Sequence, residues 1–267
     1  MTSGKLKYLI VSIILTLFFG SCTEKDKPQP ENEFRINFVH TVNNINAEFD
    51  KMIYTNAAGN QYEVTEIMYF VSDLKLHKSD GQIIEPATWD DIHYIDTNIP
   101  STLEWLAGKN VPQGVYDSIT FTFGISEEKN QSFMFVNPPE VNMAWPEVLG
   151  GGYHYLMLNG WWKDLNQLRR PFNFHLGIGQ IYKDNSGQVP DIIGFIHNNF
   201  TVRPSGDSFS ITSGQTNTLE INMHIDSWFD TPIVYDHNTF GGAIMQNQEA
   251  MHVGVENGKD AFSVRKK

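Results

Sequence analysis

From residue 35 onward the dominant period of the chain is two. Arg35-Ile36-Asn37-Phe38-Val39-His40 puts Ile36, Phe38 and His40 on one face of a strand. Leu74 and Leu76 alternate with Asp73, Lys75 and His77 and stop at the turn Ser79-Asp80-Gly81. Val115, Asp117, Ile119, Phe121, Phe123 and Ile125 alternate with Tyr116, Ser118, Thr120, Thr122 and Gly124. Phe172, Phe174 and Leu176 oppose Asn173, His175 and Gly177, and Leu219, Ile221, Met223 and Ile225 oppose Glu220, Asn222, His224 and Asp226. Further strands are predicted at 62–71, 92–96, 153–158, 192–202 and 207–211, with Gly, Asn, Asp and Pro turns between them. No helical period joins these segments. The pattern predicts an all-β fold, an antiparallel β-sandwich of immunoglobulin-like or jelly-roll-like type, as one domain over 34–267.

Two stretches break the alternation. Residues 126–152 hold Pro138, Pro139, Pro146 and three consecutive glycines, yet also Phe133, Phe135, Met143 and Trp145. A long loop this rich in large apolar groups is expected to pack over one end of the sheets. The tail from 228 to 262 is the other, and its segment Gly242 to Val253 predicts a short C-terminal helix with Ile244 and Met251 on one side.

The start of the chain reads as an address. Lys5 and Lys7 precede an apolar run from Tyr8 to Phe19, then Gly20-Ser21-Cys22. Twelve residues make a helix of about 18 Å, short of the roughly 30 Å hydrocarbon core, so the run fits a cleaved signal over 1–21 better than a span. Small residues before a lone cysteine resemble a bacterial lipobox, which makes Cys22 the expected lipidation site. Residues 22–33 are charged, proline-bearing and free of large apolar groups, as a flexible tether is. The expected location is the bacterial cell envelope, with the domain hanging from a membrane by its lipid.

Charge and sulfur narrow the chemistry. Beyond the signal, 31 acidic residues face 17 basic ones, a formal charge of −14, because Lys5 and Lys7 leave with it. That balance is a poor match for nucleic acid. A single cysteine excludes an internal disulfide and a thiolate cage. The Gly-X-Ser-X-Gly elbow, the His-Glu-X-X-His helix, the phosphate-cradling glycine loop and the acidic calcium loop are all missing. No catalytic constellation is expected.

Nine histidines remain, and strand parity sorts them. His77 and His224 share faces with charged neighbours and read as exposed. His40 has the inward parity of Ile36 and Phe38, and an imidazole at a core rim needs a partner or a ligand. His175 sits beside the small Gly177, which leaves room for another group to approach it. His252 shares a side with Met245 and Gln248 if the tail is helical. Imidazole and thioether donors without cysteine suit copper. His40, His175 and His252 are therefore the candidate metal ligands.

Four ordered segments carry a family resemblance. Met68-Tyr69-Phe70-Val71-Ser72-Asp73-Leu74-Lys75-Leu76 runs into a turn with Gly81, and Val111-Pro112-Gln113-Gly114-Val115-Tyr116 is followed by Phe121-Thr122-Phe123-Gly124-Ile125. Met143-Ala144-Trp145 precedes Gly152-Tyr153 and Leu156-Met157-Leu158-Asn159-Gly160, and the series closes on Phe172-Asn173-Phe174-His175-Leu176-Gly177. In this order they resemble the MbnP-like family, exported proteins associated with copper. The resemblance implies a β-rich fold and a copper site built from histidines. It matches His175 to the family's His-Leu-Gly position and Trp145 to its Met-X-Trp position, with Trp145 as an aromatic partner at the site. In some relatives a tryptophan oxidised by a di-haem peroxidase-like partner joins the site. The expected function is non-enzymatic copper binding. The alternative is a surface module for a glycan or a partner protein, using exposed rings of Trp161, Trp162 or Trp145.

Overall fold

The computed structural model describes residues 31–86 and 91–267. The signal, Cys22 and most of the tether lie outside the described residues. The domain begins slightly earlier than 34. The Asn32 side chain bonds both the carbonyl and the amide of Val111, and the first strand opens at Glu33.

In chain order the first strands are β1 (Glu33–Val42), β2 (Ile45–Asn46), β3 (Tyr54–Thr55), β4 (Gln61–His77), β5 (Ile83–Ile84) and β6 (Ile92–Asp96). Then come β7 (Glu104–Lys109), β8 (Gly114–Tyr116), β9 (Ser118–Phe123), β10 (Leu156–Lys163), β11 (Arg169–Leu176) and β12 (Ile178–Tyr182). The last are β13 (Ile192–His197), β14 (Phe200–Val202), β15 (Phe209–Ile211), β16 (Thr216–His224) and, after three helices, β17 (Phe262–Lys266). One sheet runs β17-β16-β1-β2, with β7 paired to β1 on the same edge as β2. The larger runs β11-β10-β4-β9-β14 with β3, β5 and β6 also paired to β4. These two sheets face each other as a sandwich, with Phe38 of β1 edge-on to Tyr69 of β4 at 6.2 Å.

Alternation explains most of this. In β1, Phe34, Ile36, Phe38 and His40 are buried while Arg35, Asn37 and Val39 are half-exposed. Leu219, Ile221 and Met223 of β16 are buried in the same way. Among the described strand pairs the expected antiparallel order has one exception: β1 and β16 pair in parallel, Ile36 against Leu219 and Phe38 against Ile221. Side-chain parity is blind to strand direction, and these two strands lie far apart in the chain.

One strand is cut where alternation looked continuous. The run 115–125 divides at Asp117, whose amide bonds the carbonyl of His77. Before the cut, β8 leaves to pair with β15, so Tyr116 is buried and Val115 is 56% exposed, the reverse of the parity reading. The tail forms three helices, α1 (Ser227–Asp230), α2 (His237–Phe240) and α3 (Gln248–Gly258). The predicted helix over Gly242–Val253 thus starts six residues later, where the Asn247 side chain accepts from the Ala250 amide as an N-cap. Among the described residues no helix is long and apolar enough to cross a membrane.

The excursion after β9 does pack on the sandwich. Phe135 stacks on Phe70 of β4 at 5.5 Å and meets Tyr153 edge-on at 4.9 Å. Met143 and Trp145 are buried. Phe133 is not part of this packing and is 77% exposed. What the excursion covers is the outer face of the larger sheet, because Phe70 and Tyr69 are neighbours on one strand and Tyr69 points into the sandwich.

Candidate metal centre

The register of the larger sheet fixes where His175 stands. Met68 of β4 pairs with Met157 of β10, and Met157 pairs with His175 of β11. The row therefore lies on the outer face, opposite to Tyr69, Leu156 and Leu176 of the next row, which are fully buried. Two residues along the same face, Asn159 pairs with Asn173 and meets Glu66 of β4.

That neighbour determines the state of the imidazole. Asn159 Nδ2 donates to the Glu66 carboxylate at 3.0 Å, which turns Oδ1 toward the ring. An amide oxygen only accepts, so His175 Nε2 carries the hydrogen in its 2.8 Å bond to Asn159 Oδ1. Nδ1 then holds a free lone pair, and this atom is buried without a hydrogen-bond partner. Burial, and secondarily the neighbouring His154, push the His175 pKa down to about 3, so the ring is neutral at pH 7.

The second imidazole comes from the excursion. Backbone bonds from Trp145 N to Gly152 O (2.8 Å) and from His154 N to Met143 O (2.7 Å) fold residues 143–154 back on themselves. Gly150, Gly151 and Gly152 all have positive φ in the return, a conformation open to glycine and costly for other residues. Trp145 and His154 thereby meet at 4.6 Å between ring centroids, and His154 meets His175 edge-on at 5.1 Å. His154 Nδ1 lies 2.9 Å from the carbonyl of Met143, so Nδ1 is the donor and Nε2 carries the lone pair. Burial lowers its pKa to about 4, against a smaller upward pull from backbone carbonyls.

The group that lies against Gly177 is Trp145, which meets His154 rather than His175. A Cβ on Gly177 would lie 2.5 Å from the indole ring. Trp145 donates through Nε1 to the carbonyl of Leu149 at 3.1 Å and is 2% exposed. The tryptophan thus caps a pair of neutral, buried imidazoles.

The other proposed ligands do not join this pair. His40 is buried, as its parity requires, but it packs edge-on against Tyr69 at 5.8 Å, inside the sandwich. His175 is on the opposite face of that sheet, with the backbone of β4, β10 and β11 between them. His252 is exposed on α3, whose buried side carries Ala250, Met251, Val253 and Gly254. The three residues therefore do not converge on one ion. Parity gave the correct face for both: His40 shares the inward side of Ile36 and Phe38, and His175 lies opposite the buried Phe172, Phe174 and Leu176. His154 is not among the candidates read from the sequence, although it lies in the stretch 153–158 predicted as a strand; β10 starts only at Leu156, so strand parity says nothing of where its ring points.

The remaining histidines have other surroundings. His93 stacks between Phe38 and Trp105 and bonds the Thr102 carbonyl at 2.8 Å. His237 is fully buried among Trp162, Phe172, Phe229 and Tyr235 with neither ring nitrogen bonded. Among the described residues no group of three His, Cys, Asp or Glu can hold a metal ion. The tryptophan platforms expected for a glycan are also covered. Trp145 and Trp162 are buried, and the Arg169 guanidinium lies 4.0 Å over the half-buried ring of Trp161.

Comparison with known proteins agrees with this architecture. The family model described as MbnP matches residues 31–249. The chain belongs to the MbnP family. Among solved structures it is similar to MbnP from Methylosinus trichosporium, with a TM-score of 0.55 and 14% identity over 88% of this chain and 99% of that one. At that identity the likeness shows a shared fold. No curated protein matches the chain. The MbnP match ends at residue 249, so it takes in Trp145, His154 and His175 and stops at the start of α3.

Proposed function

We propose that this MbnP-family chain is an exported, lipid-anchored protein of the cell envelope that binds copper without catalysis, and that His154 and His175 hold the ion. One observation carries the reading. Two neutral imidazoles touch in a buried place, each with its other nitrogen tied up by an acceptor, so that each has one lone pair left for a ligand. Tying the far nitrogen in this way is how proteins orient metal-binding histidines, and the Glu66–Asn159–His175 chain is such a support. Imidazole nitrogen suits copper among the first-row metals. Bound there, the ion would supply a cargo to be passed on, since two protein nitrogens leave coordination positions open.

The anchor rests on the signal and on Cys22 before a charged tether. A di-haem peroxidase-like protein is the partner that the family resemblance adds, with Trp145 as the aromatic residue beside the imidazoles. The function is tested by elemental analysis of protein taken from its native membrane and by titration of purified protein with cuprous and cupric ions. One copper per chain is expected. His175→Ala should lose more than the roughly 10–100-fold typical of outer-shell changes; a variant that binds copper as well as wild type contradicts the proposal.

A further inference from the structure

The hairpin of β12 and β13 stands apart from both large sheets as a sheet of two strands. Two strands alone are marginal in water; a further strand or a packed face is what steadies such a unit. The face toward the excursion is packed. Gln180 of β12 donates to the Leu149 carbonyl at 2.9 Å, and a Cβ on Gly150 would lie 3.1 Å from the Phe195 ring. The far edge of β13 is open. Among the described residues β13 pairs only with β12, so alternate amides and carbonyls along it have no backbone partner.

Open edges are ordinarily guarded by charge, proline or brevity. Strands at the margins of the two large sheets follow this rule. β17 ends on Arg265 and Lys266, β11 opens on Arg169-Arg170-Pro171, and β14 and β2 have three and two residues. β13 reads Ile-Ile-Gly-Phe-Ile-His, six residues with no proline, carboxylate, lysine or arginine among them. Ile193 is 68% exposed and Phe195 47%. The register shift opposite Tyr182 sits at the start of the strand and leaves 194–197 regular.

We infer that β13 is the docking edge for a second copy of this chain, the two strands pairing antiparallel about a twofold axis at Gly194. A twofold contact requires a self-complementary surface, and this strand is self-complementary about its glycine. Ile193 of one copy lies opposite Phe195 of the other, a β-branched side chain against an aromatic ring. Asp191, just before the strand, lies opposite His197 at its end, a carboxylate against an imidazole. Gly194 lets the two backbones approach closely at the axis. The product is a four-stranded sheet shared by the dimer. It requires no metal and is independent of the copper reading.

The test is sedimentation equilibrium of the full protein in density-matched detergent, for wild type, Ile193→Val and Ile193→Lys. Because Ile193 is mostly exposed, neither substitution should alter the circular dichroism spectrum. Wild type and Ile193→Val should sediment at twice the chain mass, and Ile193→Lys at the mass of one chain. Hydrogen exchange of the β13 amides that face away from β12 should be at least about tenfold slower in wild type than in Ile193→Lys. A monomeric wild type overturns the inference, whether or not its edge takes up an added extended peptide. A dimer that persists in Ile193→Lys places the contact elsewhere and overturns it as well.

Discussion

At the scale of single residues, the state of His175 is set by an amide two positions along the neighbouring strand. Asn159 turns its accepting Oδ1 to the ring because its nitrogen donates to Glu66 at 3.0 Å. The imidazole is thereby held in the tautomer whose free lone pair is on the buried Nδ1. Replacing Asn159 by leucine keeps much of the volume and removes the acceptor. The variant should fold, with about 1–3 kcal/mol lost to an unpaired ring N–H, and its copper affinity should fall roughly 10–100-fold. Competition titration beside a denaturant melt checks both. Unchanged affinity would mean that the tautomer is fixed by something other than this amide.

At the scale of elements, the centre depends on a loop docking onto a sheet face. Gly177 follows β11 and lets the Trp145 ring lie against the backbone; a methyl there would sit 2.5 Å from the indole. Gly177→Ala should therefore push Trp145 off its seat at a cost of about 1–3 kcal/mol, the usual range for overpacking. Urea unfolding and a red-shifted tryptophan emission are the readouts, and a variant with wild-type stability and emission would remove Trp145 from its place as the cap. The same elements show how much the sequence reveals. Ile36, Phe38, Leu219, Ile221 and Met223 were legible as inward because alternation needs only local pleat geometry. The cut at Asp117 was not, since it arises from β8 pairing with β15 almost a hundred residues away. Nor was the juxtaposition of His154 and His175, which comes from the return at Gly150–Gly152 and not from any strand period.

For the molecule as a whole, the cost of enclosing so many imidazoles should appear as acid lability. Burial lowers His40 and His93 from 6.5 to about 4 and His237 to about 3, where Asp236 opposes the shift only weakly and Tyr62 and Tyr235 are its other titratable neighbours. A depressed histidine pKa means the fold holds the neutral form. Its stabilisation is complete above pH 6.5 and drains away as pH falls toward 4 and below. At 1.36 kcal/mol per unit, His40 and His93 each remove about 3 kcal/mol and His237 about 5 kcal/mol by the end of their titrations, a large share of the 5–15 kcal/mol typical of a domain. Circular dichroism should show unfolding between pH 5 and 4, shifted to lower pH in His237→Phe; a native spectrum at pH 3.5 would contradict this. The larger sheet also divides the histidines between its two faces, and that division decides the central claim. The most direct measurement is the copper stoichiometry of His154→Ala beside His40→Ala in folded, purified protein. One bound copper retained in His40→Ala and lost in His154→Ala is the expected result; the opposite pattern would place the ion inside the sandwich and contradict the account.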